Sequence, residues 1–228
     1  MIKPSVFLFD MDGLLLDTEQ VMQETFFDIL APHNIPMDAA LQFFLGLVGN
    51  SGTQTRQKLL AFLPDDLPIE RFEQEWQTKF GARMAENVPL KPHVTSALAA
   101  LAEQGHRMAV VTSTRSAQAQ HHLTRAGIIQ HFEVITGGDM VSANKPDPAP
   151  YLETAAKLGA APNECFAFED SDPGITSAMR AGCDATQIPD LRPAGKPLPD
   201  LGQRVASDLW QALQQIGVLG AQPDQSGQ

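Results

Sequence analysis

Cysteine is nearly absent from this chain of 228 residues: Cys165 and Cys183 are the only two. They show no zinc-type spacing, and they read as small buried apolar residues of a reducing compartment. Aromatic residues are few, at 7%, with a single tyrosine. No apolar stretch is long enough for a bilayer-spanning helix. Basic residues are in deficit, 16 Lys and Arg against 27 Asp and Glu, for a net charge of −11. Such an acidic surface argues against nucleic acid or an anionic membrane as partner, since both need basic patches. An anionic ligand must then be held by a few local cations. No signal peptide is expected at Met1-Ile2-Lys3-Pro4, which runs straight into an apolar segment. A cytoplasmic monomer without internal repeats is the expectation.

Enough remains to build a core. Hydrophobic residues make up 43%, and the length suits one large α/β domain, alone or with a smaller insert. Short apolar runs at 6–9, 106–112, 132–136, 165–168 and 185–188 read as strands. Helical patterns at 94–104, 116–126, 148–158 and 174–181 separate the later ones, several ending at a glycine: Gly105, Gly127, Gly159 and Gly182. This alternation predicts a parallel sheet with helices on both faces. Residues 18–87 break the rhythm with helical spacing alone, punctuated by Pro32, Pro36, Pro64 and Pro68. An insert placed directly after the first strand lies over that strand's carboxyl end, as a lid does. The predicted division is therefore 1–17 with 88–228 as the α/β core and 18–87 as the helical insert. A last helix is expected near 207–216, and 222–228 reads as a frayed tail.

The polar residues gather at the predicted strand ends. Val6 to Phe9 stops at Asp10 and Asp12, followed by Gly13. Residues i and i+2 of a strand point the same way, and the carboxyl end of a central strand is where open α/β sheets hold ligands. Two carboxylates there repel and are costly to desolvate unless a cation lies between them. Mg²⁺, with its preference for oxygen ligands, fits best. The second strand ends in Thr112-Ser113-Thr114-Arg115. The loop after the third holds Asn144-Lys145-Pro146-Asp147, and the fourth ends in Glu169-Asp170-Ser171-Asp172. Each group also has an ordinary explanation. Thr112 could cap the next helix, Lys145 could be a solvated loop cation, and Glu169 and Asp170 could satisfy a helix amino end.

Asp10-Met-Asp-Gly-Leu-Leu-Leu-Asp-Thr-Glu, Thr112-Ser113, Lys145-Pro146 and Glu169-Asp170, in this order, resemble the four motifs of the haloacid dehalogenase-like hydrolases. The branch most similar holds sugar phosphatases and β-phosphoglucomutase-like enzymes with a small helical cap. The resemblance spans nearly the whole chain. It implies a Rossmann-like α/β core with an inserted cap, and a Mg²⁺-dependent phosphatase acting on a sugar phosphate or nucleoside monophosphate. Asp10 would be the nucleophile that forms an aspartyl-phosphate. Asp12 would be the general acid and then base, with its backbone carbonyl on the metal beside Asp10, Glu169 and Asp170. Thr112 and Lys145 would stabilise the transferring group. Gly13, Ser113, Thr114 and Arg115 would face substrate from the core, and Asn50 and Ser51 from the cap. Arg115 serves equally well as a surface residue at a helix start.

A related phosphohexomutase carries a His in the first cap helix and an Arg in a cap loop. Here those positions are Met22 and Gly52, so hydrolysis is favoured over isomerisation. A binding protein that keeps the fold without turnover is the third reading, and the intact acids argue against it. Arg56 and Lys79 are possible substrate cations of the insert, although surface charge accounts for them as well.

Overall fold

In the computed structural model, which describes residues 6–48, 52–193 and 195–220, six strands form one parallel sheet. They are β1 Val6–Phe9, β2 Arg107–Val111, β3 Val134–Thr136, β4 Cys165–Glu169, β5 Asp184–Gln187 and β6 Arg204–Val205. Their order is β3-β2-β1-β4-β5-β6. The chain steps outward from β1 in one direction, then returns to β4 on its other side. The carboxyl ends of β1 and β4 thus flank the point where the winding reverses, and a crevice opens there.

Each inner strand is buried on both faces, which is why it reads as an unbroken apolar run. Along β1 the side chains alternate between two cores. Phe7 and Phe9 join Met108, Val110 and Phe168 under α5 Val94–Glu103, α6 Ser116–Arg125 and α9 Leu209–Gln215. Val6 and Leu8 join Ala109, Val111 and Ala167 under α7 Ala149–Lys157 and α8 Asp172–Ala181. The predicted elements recur with ends shifted by up to two residues. The exception is β6, a two-residue edge strand too short to leave an apolar signature. Both cysteines are buried and unpaired. No helix among the described residues is long and apolar enough to cross a membrane.

Among the described residues, 18–86 hold four α-helices, α1 Thr18–Leu30, α2 Met37–Leu45, α3 Gly52–Phe62 and α4 Ile69–Glu86. They close around an apolar cluster of their own: Phe26, Ile29, Leu30, Ala40, Phe44, Leu47, Leu59, Leu67, Ile69 and Phe72. Phe26 is fully buried, with rings of Phe43, Phe44, Phe62, Phe72 and Trp76 around it at 5.5–6.4 Å between centroids. The segments that enter and leave this insert run side by side. Leu16 pairs with Leu90 in an antiparallel bridge, Asp17 N–H donates to Pro89 O, and Lys91 N–H donates to Leu15 O.

Phe26→Ala removes the ring on which the insert's cluster converges. It is expected to cost about 3–5 kcal/mol of unfolding free energy in urea denaturation. A loss under about 1 kcal/mol would mean that the insert's stability lies elsewhere.

Candidate active site

Four strand ends and the loop after β3 meet at the crevice. The cavity there has a volume of about 320 Å³, and its lining includes Asp10, Asp12, Thr112, Ser113, Lys145 and Asp170 from the sheet side, with Glu19 and Val48 from the insert. Asp10 follows β1 directly, and its N–H donates to Phe168 O of β4 at 3.0 Å. This fixes the carboxylate at the junction of the two strands.

Lys145 is at the centre of the charge arrangement. Its side chain is 6% exposed, and its Nζ lies 2.5 Å from Asp10 Oδ1 and 2.6 Å from Glu169 Oε1. Nζ also donates to Val111 O at 2.8 Å. Glu169 is fully buried and saturated with donors. Besides Lys145 it accepts from Tyr151 Oη at 2.5 Å and from Ser171 Oγ at 3.3 Å. Burial and the neighbouring carboxylates keep the Tyr151 phenol protonated, hence a donor. Gly174 leaves the room this carboxylate occupies, since an added Cβ would overlap it. The amino end of α8 is capped by Ser171, whose Oγ accepts from Gly174 N at 3.1 Å. Capping therefore does not explain Glu169 or Asp170.

Asp12 is held differently. Its Oδ2 accepts from Thr114 Oγ1 at 2.7 Å and Thr112 Oγ1 at 3.3 Å. Thr112 Oγ1 in turn accepts from Thr114 N–H at 3.0 Å. Thr112 thus does not cap α6. Asp139 does, accepting from Ser116 N–H at 2.7 Å. Gly13 has φ +83°, a conformation that favours glycine. Its N–H donates to Leu16 O at 2.9 Å, inside the turn and not toward the cavity. Ser113 lines the cavity, whereas Arg115 is exposed and outside its lining. Asn50 and Ser51 lie outside the described residues. Arg56 pairs with Glu70 and Glu73 of α4.

Several lining groups carry no motif that marks them in the sequence. Arg192 and Lys196, from the segment after β5, converge on Asp172 at 2.5 and 3.0 Å. Burial opposes the Asp172 charge, but these two cations hold the carboxyl down at about 2. Lys91 bridges Asp190 at 2.6 Å and Asp17 at 3.4 Å. Asp190 stands just past the end of β5, so the strand-end rule that singles out Asp10 and Glu169 also points to it.

Asp10, Glu169 and Asp170 each offer an oxygen, all within 4.8 Å of one another. Burial pushes the Asp10 carboxyl well above its usual range, against the pull of Lys145 and with Glu169 and Asp12 adding to the rise. Burial does the same to Asp170, reinforced by Asp10 and Glu169. Lys145 stays an ammonium: burial works against it, but Asp10 and Glu169 raise its affinity for the proton. Asp10, Asp12, Glu169 and Asp170 around one ammonium leave an excess of negative charge. An all-oxygen donor set with such an excess fits a hard divalent cation. The cysteines take no part: burial pushes Cys165 up to about 11 and Cys183 up to about 12.

The sequence profile of haloacid dehalogenase-like hydrolases matches residues 7–188. The fructose-1-phosphate phosphatase YqaB of Escherichia coli is 30% identical over 79% of this chain and 94% of its own length. The phosphorylated carbohydrates phosphatase of Thermotoga maritima is 30% identical over 78% of this chain and 81% of its own. Among solved structures, a HAD family hydrolase of Deinococcus radiodurans R1 with bound phosphate and sodium superposes with a TM-score of 0.75. It is 26% identical, covering 95% of this chain and 97% of that one.

Glu19 supplies a test of the cavity's electrostatics. Burial, then the charges of Asp190, Asp12 and Asp17, push its carboxyl from 4.5 up to about 7, with Lys91 opposing. A carboxyl with a raised folded-state pKa takes up a proton on folding. Its favourable contribution is complete below about pH 4.5 and is lost as pH rises through about 7. Between pH 5 and pH 8, without divalent cations, the wild-type protein should lose on the order of 2 kcal/mol more stability than Glu19→Gln. Urea denaturation at both pH values measures this, and equal pH dependence in the two proteins would remove Glu19 as the titrating group.

Proposed function

The chain belongs to the haloacid dehalogenase-like hydrolases, and on that premise we propose that it is a Mg²⁺-dependent phosphatase of small phosphorylated metabolites. A sugar phosphate or a nucleoside monophosphate is the substrate class. The observation that carries this reading is the convergence of Asp10, Asp12, Lys145 and Asp170 on one cavity covered by Glu19 and Val48 of the insert.

The proposed chemistry has two displacements at phosphorus. Asp10 Oδ attacks, the ester oxygen leaves with its electron pair, and an aspartyl-phosphate forms on Asp10. Asp12 gives its proton to the departing alkoxide, then takes one from the water that cleaves the aspartyl-phosphate. The Thr114 and Thr112 hydroxyls fix the Asp12 carboxylate and leave its second oxygen free of them. Lys145, bonded to Asp10 Oδ1, places positive charge beside the nucleophile and the incoming phosphoryl oxygens. Glu169, bound by Lys145, Tyr151 and Ser171, serves chiefly to hold that lysine. Asp10, Asp170 and the Asp12 backbone carbonyl, with Glu169 behind them, would hold Mg²⁺, whose charge offsets repulsion between a carboxylate and a phosphate dianion. The insert acts as a cap that shields the phosphoryl site from bulk water while admitting the one that cleaves the aspartyl-phosphate.

Hydrolysis is preferred to isomerisation on the character of α1. Met22 packs against the insert's apolar cluster, and its carbonyl accepts from Trp76 Nε1 at 3.1 Å. A thioether at that position offers no proton to a sugar hydroxyl.

A panel of phosphorylated metabolites, read by released inorganic phosphate, tests the activity. Fructose 1-phosphate belongs in it, because the E. coli relative is named for that substrate. Glucose 1-phosphate belongs in it too, with isomer formation followed alongside. Asp10→Asn is expected to lower turnover at least about 10³-fold with unchanged circular dichroism, a scale set by the loss of a covalent nucleophile. Wild-type rates in that variant would remove Asp10 as nucleophile. Asp12→Asn should slow turnover about 10²–10⁴-fold, most for esters with poor leaving groups. An equal effect on aryl and alkyl esters would reassign the acid. Chelator should stop phosphate release and added Mg²⁺ restore it; full activity in chelator refutes the metal requirement.

A further inference from the structure

Asp190 is a buried carboxylate with one oxygen accounted for. Its side chain is 9% exposed, and Oδ1 accepts from Lys91 Nζ at 2.6 Å. Oδ2 is buried with no hydrogen-bond partner among the described residues. A buried acceptor left unsatisfied is costly, more so when charged, so a donor or a proton is required at that oxygen.

Gly13 shows where the oxygen points. A Cβ built on Gly13 would lie 2.6 Å from Asp170 Oδ2 and 3.2 Å from Asp190 Oδ2. The two carboxylate oxygens therefore converge on the small space left by the missing side chain. Like charges so placed repel. A water molecule polarised by a divalent cation relieves this, because it can donate a hydrogen to each carboxylate, and Mg²⁺ usually keeps several of its waters when bound to protein.

We propose that Asp190 is a water-mediated ligand of the cation site, its Oδ2 accepting a hydrogen bond from a cation-bound water above Gly13. The proposal rests on reading Asp10, Glu169 and Asp170 as that site. Lys91 orients the carboxylate, and its second contact, to Asp17 at 3.4 Å, links the same cluster to the residue just before α1. Asp190 thus joins the cation site to the base of the insert.

Mn²⁺ binding to the full chain, followed by electron paramagnetic resonance, tests the proposal. Wild-type protein is compared with Asp170→Asn, Asp190→Asn and Glu19→Gln. Asp170→Asn should abolish binding at concentrations that saturate the wild type. Retained affinity there would sink the cation site itself, not only the role of Asp190. Asp190→Asn should weaken binding about 10-fold or more, the usual effect of losing a group that orients metal ligands. The Mg²⁺-induced rise in melting temperature should shrink with it. Glu19→Gln removes a half-buried carboxyl of the cavity lining outside the Gly13 space and should change the Mn²⁺ Kd less than about twofold, the effect of a charge that makes no contact with the cation or its waters. Unchanged affinity in Asp190→Asn, with binding lost in Asp170→Asn, overturns the inference and leaves a proton shared by two acids as the occupant. Equal weakening in Glu19→Gln and Asp190→Asn overturns it as well, because general charge would then explain both. Should Asp190→Asn fail to fold by circular dichroism, Asp190→Ser is read by the same criteria.

Discussion

The arrangement depends on one buried ammonium. Lys145 reaches from the loop after β3 to touch β2 at Val111 O, the end of β1 at Asp10, and the end of β4 at Glu169. A lysine so deep is stable only because two carboxylates and a carbonyl surround it. Glu169 is stable there only because Lys145, Tyr151 and Ser171 saturate it. Removing either partner would leave the other charge stranded, so the pair holds three strands of the sheet in register at their functional ends. The solitary tyrosine of the chain is part of this support.

The scarce aromatic residues are distributed with a similar economy. Six of the twelve phenylalanines, with Trp76, pack in the insert's own cluster, where the helices have no sheet to pack on and must make a core from side-chain bulk. In the sheet, Phe7, Phe9, Phe166 and Phe168 stack on one face, and the strands are tied together by their backbone ladders as well. Rigidity therefore comes from backbone ladders with stacked rings below the cavity and from interlocked rings above.

The parallel sheet was legible because its strands are buried on both faces and end in polar residues. Asp10, Asp12, Thr112, Lys145 and Asp170 could be picked from those ends, and they do meet at one cavity. Local roles were less legible. Ser113 and Arg115 are neighbours of Thr112 in sequence, yet only Ser113 lines the cavity. The capping alternatives for Thr112 and Glu169 failed because Asp139 and Ser171 do that work, and the Asp139 contact comes from a loop remote in sequence. Glu19, Lys91, Asp190, Arg192 and Lys196 went unnoticed. Asp190 stands where the strand-end rule points; the others matter only when the segment after β5 folds back toward the first turn of α1, a proximity no periodicity encodes. β6 is too short to have a pattern at all.

Leu16 and Leu90 form a single rung where the polypeptide departs from the sheet and comes back to it. Because departure and return lie shoulder to shoulder, the excursion between them imposes almost no separation on the scaffold's two attachment points. Its length and content can drift, by insertion, deletion or wholesale exchange, without shifting a strand. A scaffold with such a junction keeps the sheet-side wall of its cavity fixed while selection, or a protein engineer, exchanges the helices above it.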